Sequence, residues 1–168
     1  MRPVSKETYT SVLSFMYNLN KEQIDEISDR MRIKQPSIED YLAGNILEII
    51  TEKETPAINF LFIFIIRCYD YEYGELNLIS EDATYEHFDE LNQSTQRECK
   101  RYSLRKVTHS LSRDTNQREL VAFIDNFLEG DNRFGFTFGS EDIVLIRLVI
   151  YCILLLLNKE VEKGNQSS

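Results

Sequence analysis

The densest run of groups able to do chemistry is Glu86-His87-Phe88-Asp89-Glu90. On a helix Glu86 and Glu90 stand one turn apart, Asp82 lies a turn earlier and His87 three residues before Glu90, so carboxylates and an imidazole could share a face and hold a divalent cation. A metal centre in a helical bundle draws ligands from more than one helix, as in the Glu-x-x-His arrangement of di-iron proteins, and no second cluster of that kind occurs. The other histidine, His109, sits in a basic stretch that repels cations. The run therefore reads as a solvated acidic face with no metal or cofactor. A metal-dependent helical-bundle enzyme is retained as a third function class.

Nucleophilic and phosphate chemistry find less support. A thiolate or alkoxide needs a neighbouring base, and neither histidine is close in sequence to Cys68, Cys99 or Cys152. There is no Gly-x-Ser-x-Gly elbow, and Gly139-Ser140 reads as a helix cap. Gly130 and Gly135 have the spacing of a phosphate loop, but Phe136-Thr137 follows where that motif needs lysine.

Charge is strongly segregated. From Asp70 to Gln96 there are eight acids and no Lys or Arg; from Arg97 to Arg118 there are seven bases and two acids. The blocks could neutralise one another as adjacent antiparallel helices. Alternatively, one block faces a partner. Tyr69, Tyr71, Tyr73 and Tyr85 lie in or beside the acidic block, and rings set among carboxylates suit a basic protein, with the rings supplying contact area and the charges steering the encounter. The residues expected on that surface are Asp70, Tyr71, Glu72, Tyr73, Glu75, Asp82, Glu86 and Asp89.

These groups must be positioned by a chain of 168 residues with net charge −9, 42% apolar and only nine Gly or Pro, enough for one core without a staple. The negative excess disfavours nucleic acid and anionic membranes except where positive charge is concentrated. Three separated cysteines suit neither a disulfide framework nor a zinc site and read as small buried hydrophobes in a reducing compartment. The N-terminal residues lack the apolar stretch of a secretory signal, so the expected location is cytoplasmic.

Apolar residues recur at helical spacing almost throughout. Tyr9, Val12, Leu13, Met16 and Leu19 mark a first helix, and Asn20 with Gln23 forms a capping box for a second carrying Ile24, Ile27 and Met31. Ser37 with Asp40 is expected to cap a third, from Ile38 to Ile50. Thr55-Pro56 opens a stretch, Ala57 to Tyr69, that is apolar nearly all round and too long for a strand. Gly74 ends it. Ser80 precedes a helix with Tyr85, Phe88 and Leu91; Thr95 with Glu98 is expected to open another, and Asp114 with Gln117 to cap one that carries Leu120, Val121, Ile124, Phe127 and Leu128 and stops at Gly130. Phe134, Phe136 and Phe138 alternate with small residues in what could be a short extended aromatic loop. Ser140 is expected to cap the last helix, whose apolar run Ile143–Leu157 carries Arg147 and is too short for a membrane span.

The expected fold is all-α: a single-domain helical bundle over 1–163, with seven or eight helices, two central apolar ones and a frayed tail at 164–168. The expected function is non-enzymatic protein binding or regulation, with a basic partner or a second copy of the chain. Its sharper form is an inhibitor or immunity-type antitoxin. The alternative is a small nucleic-acid-binding regulator using segment 97–118, with membrane association disfavoured.

Overall fold

A computed structural model describes residues 1–46, 49–130, 135 and 137–166. Eight helices and no strand occur among them: α1 (Lys6–Tyr17), α2 (Lys21–Lys34), α3 (Pro36–Ile46), α4 (Thr55–Tyr73), α5 (Glu81–Cys99), α6 (Leu104–Asp114), α7 (Arg118–Leu128) and α8 (Ser140–Gln166). The all-α bundle expected from periodicity is the observed fold.

The two apolar segments are neighbouring central helices, α4 and α8. From Phe60 to Ile66 every residue of α4 is buried, which an amphipathic surface helix could not satisfy. Helices α1 and α2 pack on α4, whereas α3, α5, α6 and α7 pack on α8. Rings fill the seam between α1, α4 and α7: Phe64 lies 4.4 Å from Phe123 and 5.9 Å from Tyr9, centroid to centroid, and Phe60 stacks on Phe127 at 5.9 Å. No helix among the described residues is long and apolar enough to cross a membrane.

Local signals set several boundaries. Asn20 and Gln23 form the reciprocal capping box, and Ser5, Ser80 and Ser103 each accept a backbone amide at the start of their helices. Gly74 ends α4 at φ +90°, in the left-handed region that favours glycine.

Other expected boundaries are corrected. Pro36 opens α3 as its first residue, where a missing amide costs nothing, so Ser37 and Asp40 lie inside the helix. The described helix runs to Ile46, residues 47 and 48 lie outside the described residues, and Ile49 and Ile50 stand in a turn. Helix α5 runs unbroken past Thr95 and Glu98 because no Gly or Pro interrupts it; the next start is Ser103. Asp114 closes α6 instead of capping α7, since Gln117 turns its amide into the core. Gly139 takes the cap position of α8: Ile143 donates to its carbonyl, and a Cβ there would sit 2.5 Å from Asp142 Oδ2. Helix α8 continues through Gly164 to Gln166. Of the aromatic loop, Phe134 and Phe136 lie outside the described residues, and Phe138 is buried in a non-strand segment.

Candidate functional site

The acidic block divides into two environments at the Gly74 turn. Its first half is consumed by the fold. Asp70 accepts from the Leu76 amide at 3.0 Å, closing the turn after α4. Glu72 is half-buried with its side chain 5% exposed, and it accepts from the Ser5 amide (3.1 Å), the Ser5 hydroxyl (2.8 Å) and the Thr8 hydroxyl (2.5 Å) and pairs with Arg2 at 2.9 Å. Desolvation opposes ionisation there, but these donors and Arg2 outweigh it and hold the carboxyl below its ordinary range. Tyr73 donates to the Arg2 carbonyl and accepts from Gln117. Glu75 pairs with Lys34, which lowers its pKa. Tyr71 is exposed.

The second half faces solvent on α5. Asp82, Glu86 and Asp89 are all exposed, and Asp89 accepts a local bond from Gln93. His87 points the other way: it is buried, with Nε2 3.3 Å from the Cys152 carbonyl, and burial followed by Lys159 depresses its pKa despite that carbonyl and the nearby Glu90 and Glu160. Imidazole and carboxylates thus diverge, and no group of three or more potential metal ligands occurs among the described residues. Cys152 is also buried, its thiol pushed up to about 12 by desolvation, and Cys68 is raised further. Neither offers a thiolate at neutral pH. Cys99, expected to be buried, is exposed, because nothing from Asn92 to Ser103 is buried and this end of α5 stands clear of the core.

A cleft of about 510 Å³ opens between α3, α5 and α8. Its floor is Tyr41, Phe88, Leu148, Val149 and Cys152. Tyr41 and Phe88 stack with centroids 3.4 Å apart and planes 7° from parallel. Asp40, Glu81 and Asp89 stand among the described lining residues and no Lys, Arg or His does; Tyr85, 77% exposed, stands on its rim. The helical period places Glu81, Tyr85, Phe88, Asp89 and Asn92 on the cleft face of α5, with Asp82 and Glu86 on the adjoining flank. Of the eight residues expected on the surface, Asp89 alone lines the cleft. Sequence reasoning missed Asp40 and Glu81 as members of it. Asp40 lies 49 residues from Asp89, and only the packing of α3 and α5 on α8 brings them together.

The basic block does not neutralise the acidic one. Among the described residues no ion pair involves Arg97, Lys100, Arg101, Arg105, Lys106, Arg113 or Arg118. The acids that do pair use Arg2, Lys34 and Lys159 instead.

Comparison of the chain with protein-family models, with curated proteins and with solved structures gave no match.

Proposed function

We propose that the chain is a non-enzymatic protein-binding module whose α3/α5/α8 cleft receives a basic segment of another protein, one that inserts an apolar or aromatic side chain between carboxylates. The observation that carries this reading is the cleft's composition: three carboxylates and no base among its described lining residues, around an apolar floor. Carboxylates raise the encounter rate with a cationic partner, while burial of an anchoring side chain against Tyr41 and Phe88 supplies most of the residence time. A cationic enzyme whose active site carried that segment would be occluded, which is the inhibitor or antitoxin form of the same reading.

The test is affinity capture with two baits, the wild-type chain and the triple variant Asp40→Lys, Glu81→Lys, Asp89→Lys. The reading expects a basic protein that binds the wild type, rebinds it when purified, and is lost with the triple variant. Equal capture by both baits refutes it.

A further inference from the structure

The basic segment that follows the cleft along α5 forms a second surface. We infer that the C-terminal end of α5, the turn at 100–103 and α6 bind single-stranded nucleic acid. Three observations converge on it. First, Arg97, Lys100, Arg101, Arg105 and Lys106 are exposed and none has an ion pair among the described residues, so their charge is available to an outside anion. Second, Tyr102 stands in the middle of them, 44% exposed, with Lys106 Nζ 4.0 Å from its ring centroid. Lys106 lies over one ring face, so a base stacks on the other while the ammonium meets its phosphate, and every base has a π-face to offer. Third, the segment projects: Asn92 to Ser103 contains no buried residue, which leaves room for a strand to run along it.

The net charge of −9 does not cancel this surface. From Arg97 to Lys106 there are five bases against the single acid Glu98, Asp125 and Glu129 beside Arg105 are paired with Arg147, and at 1.5 Å per residue Asp89 and Asp82 lie roughly 16 Å and 27 Å from Lys100, against a screening length of about 8 Å at physiological ionic strength. The basic end is therefore felt locally as positive. Single strands are favoured over duplex because the bases of a duplex are already stacked on one another and cannot use Tyr102. An acidic protein segment would use the same cations without needing the ring, which the test separates.

Fluorescence anisotropy of a labelled oligothymidylate, titrated with the full chain, tests the inference, with a duplex of equal length, an acidic peptide and the Asp40, Glu81, Asp89 triple variant alongside. Saturable binding is expected, stronger for the single strand, with a log–log salt slope of about −3 for four or five phosphates. The exposed double variant Arg101→Glu, Arg105→Glu should weaken it at least about tenfold. Tyr102→Ala should weaken it about fivefold or more while Tyr102→Phe retains it, and the acidic-cleft variant should bind no worse than wild type. Absence of saturable binding, equal affinity for the duplex, indifference to Tyr102→Ala, or preference for the acidic peptide would each overturn it.

Discussion

Tyr41 on α3 and Phe88 on α5 lie face to face, ring centroids 3.4 Å apart, and this pair joins the two helices whose outward residues form the acidic cleft. Because Phe88 is only 6% exposed, its ring is core as well as floor. Phe88→Ala should cost about 3 kcal/mol of stability and abolish partner capture. Tyr85→Ala, at an exposed position, should weaken capture without lowering the urea midpoint. Denaturation and binding measured on the same preparations check both.

Glu72 is a fastener for the N-terminal segment, gathering Ser5, Thr8 and Arg2. Glu72→Gln should lower stability by about 1–3 kcal/mol, because the amide keeps one acceptor oxygen but loses the pair with Arg2 and the charge that strengthens the bonds from Ser5 and Thr8. Reversing Glu86 on the same block should change the urea midpoint little, as an exposed helix position with no ion pair among the described residues.

The polar core couples four parts of the chain. Gln117 accepts from the Val4 amide and donates to Asn158; Asn158 also accepts from Tyr69 at 2.6 Å and donates to the Thr115 carbonyl. Asn158→Leu removes the donor to the Thr115 carbonyl and leaves Tyr69 and Gln117 only their longer bonds to the Leu154 carbonyl (3.4 Å) and the Tyr73 hydroxyl (3.3 Å), and should cost about 2–3 kcal/mol, read as a fall in the guanidinium midpoint.

Acid should destabilise the fold in two stages. Folding lowers the pKa of His87, burial being the leading cause, so its contribution is present above the ordinary value of 6.5 and is lost as pH falls through the lower folded value. Glu72 is likewise depressed, and its contribution, present above 4.5, is lost as pH falls through its folded value. Chemical denaturation across pH 7 to 3 should show both decrements. His87→Gln should remove the earlier one and Glu72→Gln the later.

The fold was largely legible in the sequence. Thr55-Pro56, the all-round apolar run to Tyr69 and the Asn20–Gln23 box fixed central and peripheral helices by local chemistry alone. The failed boundaries share a cause: Thr95 with Glu98 and Asp114 with Gln117 match a cap pattern, but the pattern is short, and an uninterrupted helix in one case and a tertiary amide network in the other decide the outcome. The site was half legible. Charge segregation picked out α5, but sequence cannot distinguish Glu72, buried under Ser5 and Thr8, from Glu86 in solvent. Nor could it join Asp40 to Asp89, whose proximity is a product of packing on α8.

The most direct measurement is site-specific photocrosslinking in native lysate, with a photoreactive phenylalanine placed at Tyr85 on the cleft rim or at Tyr71, also exposed but away from it. A crosslink from position 85 to a basic segment of one protein, suppressed by the Asp40, Glu81, Asp89 reversal, is expected, and none from position 71. A crosslink from position 71 without one from 85, or no crosslink from either, would contradict it.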